Sequence, residues 1–393
     1  MAKRNKNPQH AFGRPRPSAS GKFQLHATAP RNTHYRELPP PTGKTPFHLD
    51  LKDIVSPDDY KDVVKKRKLV FHLNGDMGGI NYDVPQILVA KGMEADFDTS
   101  ARGADNPLFL YILGDCIYFN GEVQEYYAQF YQPYEFYQAP IFAVPGNHDG
   151  ENLPGDDSLK GFVRNFCAPQ PVKMPESGDA PRTAMTQPNV YWTLLTPLVS
   201  IVGLYSNVPE GGEIKQPQLD WIVDQLKSLP KDRPLMVGLH HPIYSADDHH
   251  SGSTHMKKAL EQAADAADRH PDMIVAGHVH NYQRLTKIRA DNSQVPYLVT
   301  GAGGYHNLHH IMKVDGEAMV TPVAFNDKTG DPVTLESYCD DHHGFLRLEI
   351  TEKLITGRYY TVPRPQEPYS KPSKLIDYFE FDWKKKRYVP NAL

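Results

Sequence analysis

The chain has 393 residues with 39% hydrophobic and 10% aromatic content, enough for one large core, and no apolar run long enough to cross a bilayer. A net charge of −4 with neutral histidine gives no overall pull toward nucleic acid. Three scattered cysteines (Cys116, Cys167, Cys339) argue against a disulfide framework and for a reducing compartment. No apolar segment follows the charged start MAKRNKN and no Asn-X-Ser/Thr acceptor occurs, so a cytoplasmic location is expected.

Residues 1–45 carry nine Lys or Arg against Glu37 alone and include Pro39-Pro40-Pro41, with no apolar periodicity. A flexible or surface-draped arm is expected over residues 1–66, its basic charge being the one hint of a polyanion partner. Apolar runs then predict buried strands at 68–73, 108–113, 140–144, 190–195, 198–205, 235–239, 272–276, 297–300, 345–350 and 357–362. Helical spacing is expected at 84–93, 122–136, 159–166, 216–229 and 254–267. The stretches 151–188 and 309–343 are expected as rim loops. One catalytic domain over 67–365 and a polar, basic tail over 366–393 complete the layout.

Five of these strands run straight into polar clusters: Asp76; Asp115 with Tyr118; Asn147 with His148; His240; and His278 with His280. Reactive loops at the carboxyl ends of strands are the site geometry of a largely parallel, layered α/β fold. For the last pair, two imidazoles at i and i+2 on a strand ending point apart, so a shared centre requires a backbone turn, which Gly277 permits. Carboxylate, imidazole, amide and phenol without thiolate suit Fe, Mn or Zn. With Asp115 as a bridge, two metals would each receive four protein ligands and could clamp a phosphate between them.

The blocks Gly75-Asp76-Met77-Gly78, Gly114-Asp115-Cys116-Ile117-Tyr118, Gly146-Asn147-His148-Asp149, Val237-Gly238-Leu239-His240 and Gly277-His278-Val279-His280 resemble, in order, the five motifs of the purple acid phosphatases. These are a branch of the calcineurin-like metallophosphoesterases, and the resemblance, over residues 69–362, is nearest the small mammalian-type members. It implies an αββα sandwich of two mixed sheets flanked by helices. It also implies Fe(III) at Asp76, Asp115, Tyr118 and His280, and a divalent ion (Fe, Zn or Mn) at Asp115, Asn147, His240 and His278. Most of the superfamily begins with Asp-X-His; Gly78 stands in place of that histidine, and Tyr118 is where the branch puts its replacement ligand.

The implied reaction is phosphomonoester hydrolysis by a metal-activated hydroxide. A phosphodiesterase or nucleotide hydrolase on the same site is the nearer alternative, and a non-catalytic metal-binding scaffold the more distant one. His148 would contact substrate phosphate, and His249 and His250 jointly, with His250 preferred, would protonate the leaving group. His255, on the same loop, is a further candidate substrate contact. His241 is expected to be structural, Cys116 to be packing, and His306, His309, His310, His342 and His343 to lie on the rim. The family is mostly secreted, so a chain with unpaired cysteines and no sequon suggests a bacterial, cytosolic member acting on a small phosphate ester, without a membrane partner. Natural substrate and oligomeric state are not specified by the sequence.

Overall fold

The computed structural model describes residues 34–98, 100, 103–327 and 329–390. In chain order the first strands are β1 (His48–Asp50), β2 (Lys68–Asn74), β3 (Pro107–Leu113), β4 (Ile141–Val144), β5 (Trp192–Leu195), β6 (Ser200–Gly203), β7 (Leu235–Leu239), β8 (Met273–Ala276) and β9 (Tyr282–Ile288). There follow β10 (Gln294–Thr300), β11 (Lys313–Val314), β12 (Glu317–Ala318), β13 (Val323–Asn326), β14 (Pro332–Cys339), β15 (Gly344–Thr351), β16 (Leu354–Thr361), β17 (Lys374–Asp382) and β18 (Arg387–Tyr388). The helices are α1 (Pro57–Lys66), α2 (Val84–Glu94), the single turn α3 (Asn147–Gly150), α4 (Lys160–Phe166), α5 (Gln216–Ser228) and α6 (Thr254–Ala267).

Two mixed sheets result, one of nine strands in the order β1-β5-β6-β7-β8-β10-β9-β14-β13 and one of seven in the order β18-β17-β16-β15-β2-β3-β4. The strands β2, β3 and β4 pair in parallel, as do β6, β7 and β8. β3, β4, β7 and β8 are buried along their whole length, so apolar runs without alternation are what both faces demand. The sheets meet through aromatic side chains: Trp192 of β5 stacks on Tyr111 of β3 at 5.8 Å between ring centroids, and Tyr282 of β9 lies on Tyr359 of β16 at 3.8 Å. Arg284 of β9 reaches Asp377 of β17 with two bonds of 2.7 and 2.9 Å, and Tyr282 donates to the same carboxylate at 2.6 Å. Helices cover the outer faces. Trp221 of α5 packs on Phe47 and Tyr191, while Gly92 of α2 lies against Phe345 and Val362.

The expected bounds need correction at both ends. Residues 34–66 are not an arm, because β1 pairs in parallel with β5 and α1 is capped by Ser56; residues 1–33 lie outside the described part. Nor is 366–393 only a tail, since β17 pairs along β16 and brings Phe379 and Phe381 into the core. Within 309–343, β14 pairs with β9 rather than forming loop. The helix expected at 122–136 is a short 3-10 turn at Val123–Glu125 and a π turn at Tyr127–Tyr131, in which Gln132 bonds to the Tyr127 carbonyl. Pro133 ends it, its ring being incompatible with a further helical turn.

The side chain of Glu125, at the end of that 3-10 turn, is lifted to about 7 by burial, against a bond from Gln129 that lowers it. Its folded value exceeds its unfolded one, so stability is full below about 4.5 and falls as pH rises to 7. Glu125→Gln is expected to flatten this dependence and raise stability at pH 8 by on the order of 1–3 kcal/mol, read from urea midpoints at pH 4.5 and 8. Among the described residues no helix is long and apolar enough to cross a membrane.

Candidate metal centre

The carboxyl ends of β2, β3 and β4 in one sheet face those of β7 and β8 in the other. Across that junction the Gly75 N–H donates to the Thr300 carbonyl at 2.9 Å, and the Gly303 N–H to the Gly75 carbonyl at 3.0 Å. Gly114 has φ +93°, and a Cβ there would lie 2.4 Å from His240 Nδ1 and 2.8 Å from Gly146, so only glycine lets these loops close. Asp76, Asp115 and His278 themselves adopt φ of 57°, 52° and 68°. The turn expected at Gly277 is therefore made by His278, and three of the seven expected ligands sit in a backbone region that costs energy for L residues.

All seven expected metal ligands come together. Tyr118 Oη lies 3.2 Å from Asp76 Oδ1 and 3.3 Å from His280 Nε2. Asn147 Oδ1 lies 2.9 Å from His240 Nε2 and 3.1 Å from His278 Nδ1. Asp115 Oδ2 is 3.3 Å from His240 Nε2. The ligand atoms of Asp76, Asp115 and His240 fall within 4.8 Å of one another, which places Asp115 between the two groups.

This arrangement fits cations. Asp76 and Asp115 are buried, and the ion pairs they make among the described residues are with histidines. Burial raises the Asp115 carboxyl, yet the imidazoles of His240 and His148 more than offset this and hold it well below the usual carboxylate range. His240 is lowered by burial but lifted overall to about 9, chiefly by Asp115. Burial, then the charges of Asp115 and Asp76, push the Tyr118 phenol well above its ordinary value, so a phenolate there requires positive charge beside it.

Two of the histidines also spend one nitrogen on an outer acceptor, and the third faces a carboxylate without a hydrogen bond to it. His240 Nδ1 donates to the Leu113 carbonyl at 2.8 Å and His280 Nδ1 to the Asn307 carbonyl at 2.8 Å, while His278 Nε2 lies 3.5 Å from Glu210 Oε1. The remaining nitrogens face oxygen acceptors, the lone-pair convergence that a metal satisfies and a neutral imidazole cannot.

Gly78 explains the tyrosine. A Cβ at Gly78 would sit 2.5 Å from Gln129 Oε1 and 2.9 Å from Tyr118 Cδ2, so the phenol ring and its support fill the space a histidine there would need. Gln129 accepts from the Tyr118 N–H at 3.0 Å and donates to its carbonyl at 2.7 Å.

A cleft of about 290 Å3 opens over the centre, lined in part by His148, His249 and His250. The His148 ring is fixed by donation from Nδ1 to the Phe119 carbonyl at 2.9 Å. His249 and His250 are presented by Asp247, which accepts both their backbone N–H groups at 3.0 and 2.7 Å. His255 is not brought there; it is exposed on the first turn of α6. His241 is buried with Nδ1 2.7 Å from Ser206 Oγ, and Cys116 is buried without a role in the cleft.

Of the rim histidines, His309 is inside, its ring stacked on His280 at 4.3 Å, while the His310 side chain is 71% exposed. Sequence reasoning also missed Glu210 and Tyr305, the latter stacked on Tyr118 at 4.1 Å between centroids. Neither belongs to a ligand block. Asp149 had a signal in its place beside Asn147; it accepts from the backbone N–H groups of Gly146, Cys116 and Ile117 at 2.8, 3.1 and 3.0 Å and so ties two ligand loops together.

The calcineurin-like phosphoesterase family profile matches residues 70–282, a span that holds all seven expected ligand positions. The chain belongs to that family. It is 29% identical over 173 residues to purple acid phosphatase 21 of Arabidopsis thaliana, a match covering 42% of this chain and 36% of the plant protein. The chain thus spans little more than a third of that relative, which is a plant protein and not a mammalian one. Among solved structures, purple acid phosphatase PPD1 of yellow lupin superposes with a TM-score of 0.55 at 16% identity, over 80% of this chain and 54% of that one. GAP50, the anchor in the inner membrane complex of Plasmodium, gives 0.52 at 15% identity, over 81% and 90%. These two likenesses establish the αββα fold of this family member.

Proposed function

We propose that this calcineurin-like phosphoesterase hydrolyses phosphomonoesters at a dinuclear metal centre of the purple acid phosphatase kind. The observation that carries the reading is the meeting of Asp76, Asp115, Tyr118, Asn147, His240, His278 and His280 at one cleft floor with their donor atoms turned inward. Asp76, Asp115, Tyr118 and His280 would hold Fe(III), and Asp115, Asn147, His240 and His278 a divalent ion. When bound, such ions supply Lewis acidity toward phosphoryl oxygens and lower the pKa of water.

The chain's own groups do the rest. His148, fixed by Phe119, positions the phosphate in the cleft. His250, with His249 beside it at 4.7 Å between ring centroids, gives a proton to the departing alkoxide. An anchoring role, such as that named for the Plasmodium protein, requires no such ligand set. The three cysteines are unpaired and buried, in keeping with a reducing compartment.

The deciding experiment is hydrolysis of 4-nitrophenyl phosphate beside bis(4-nitrophenyl) phosphate, across pH, after loading the protein with Fe, Zn or Mn separately. Monoester preference is the expected result; diester preference would move the function to nucleotides or nucleic acid, and no hydrolysis with any metal would favour a scaffold. For the iron assignment, the loaded protein is expected to show a visible charge-transfer band that Tyr118→Phe abolishes. A colourless, fully active, iron-free wild type would overturn it.

A further inference from the structure

Three histidines of the centre each need an acceptor for the nitrogen that does not face the metals, and their acceptors differ in kind. His240 and His280 use the main-chain carbonyls of Leu113 and Asn307, which no substitution removes. His278 faces a side chain, the carboxylate of Glu210, with Nε2 3.5 Å from Oε1. The same oxygen lies 3.0 Å from His250 Nδ1. Glu210 stands in the loop between β6 and α5, outside every ligand block, and its side chain is half exposed at the cleft mouth (52%). The His250 and His278 rings are 4.6 Å apart, so one carboxylate oxygen spans both.

We propose that Glu210 is a positioning residue that couples a metal ligand to the proton donor. Glu210 Oε1, 3.5 Å from His278 Nε2, favours the proton on that nitrogen and so would leave the Nδ1 lone pair, 3.1 Å from Asn147 Oδ1, free to hold a metal ion. By accepting the Nδ1–H of His250 it leaves Nε2 of that ring as the nitrogen available to the leaving group. Partners of this kind orient the ring and select its tautomer, and their loss costs about 10–100-fold in metal affinity or activity. The His250 half of the proposal rests on the phosphomonoesterase reading; the His278 half does not.

The test uses the full chain, metal-free, in wild-type, Glu210→Ala and Glu210→Gln forms. In calorimetric titration with Zn(II), Glu210→Ala is expected to weaken one of two binding steps by about 10-fold or more and to leave the other unchanged. Glu210→Gln keeps an acceptor oxygen and should restore most of the loss, a rescue that a loosened loop would not show. Unchanged affinity in both steps, or an equal loss in both, overturns the His278 role.

At saturating metal, kcat of Glu210→Ala is expected to fall about 10-fold further on an alkyl phosphate than on 4-nitrophenyl phosphate, whose leaving group needs no proton. An equal fall on the two esters overturns the His250 role. If the wild type hydrolyses neither ester, the phosphomonoesterase reading and with it the His250 role fail, and the Zn(II) titration still decides the role at His278.

Discussion

Asp115→Asn is expected to lower kcat/KM for a phosphomonoester by at least about 10^3-fold, the scale set by losing a preorganised electrostatic group at a reacting centre. Asp115 touches both halves of the site: Oδ2 approaches His240 Nε2 at 3.3 Å, and Oδ1 accepts the backbone N–H of His148 at 2.9 Å. An amide of the same shape keeps one acceptor for His148 but removes the charge that two cations would share. The loss should therefore appear in activity and in metal stoichiometry together, with the far-UV circular dichroism of the metal-free protein retained. His240→Ala should behave alike, because it removes a ligand without touching the backbone that holds Asn147. Full activity in either variant, measured at equal metal loading, would exclude the dinuclear reading.

Trp192→Ala is expected to destabilise the chain by about 3–5 kcal/mol, the range for truncating a large buried aromatic. Its ring is fully buried between the sheets, stacked on Tyr111 and tilted against Phe142 at 5.5 Å, and Nε1 donates to the Ala143 carbonyl at 3.1 Å. Such a loss is a large part of the roughly 5–15 kcal/mol that holds a domain together. Phe136→Ala is the control: that side chain is 66% exposed and its truncation should move the urea midpoint by under about 0.5 kcal/mol. A change below 1 kcal/mol for Trp192→Ala would mean that this contact does not hold the sheets face to face. Because ligands come from both sheets, the variant should also bind metal more weakly.

The parts of the molecule readable without coordinates share a physical trait. β3, β4, β7 and β8 are buried on both faces and read as unbroken apolar runs. α6 was found residue for residue, its start marked by Ser253, whose side chain accepts the Met256 N–H. The candidate ligand loops are legible because metal chemistry tolerates few residue types. Elements that failed depend on distant partners instead. β17 is held by β16, and β14 by β9. At Glu122–Phe136 the aromatic content suggested a helix, but Pro133 and the two bonds of Gln129 to Tyr118 set a tighter, irregular path.

By itself, then, the amino-acid sequence determined the candidate ligand types and their order at five strand ends, since these follow from the chemistry of single side chains and from local turns; the exchange of a histidine at Gly78 for Tyr118 is what the resemblance to the purple acid phosphatases implies. Only the tertiary structure decided that Gly78 and Tyr118 share one space, that His255 turns away while His309 turns in, and that Glu210 spans His250 and His278. These are contacts between loops that follow different strands of one sheet, and no local preference of the chain encodes them; the pairing of β2 with β3, and of β6, β7, β8 and β10 in turn, does.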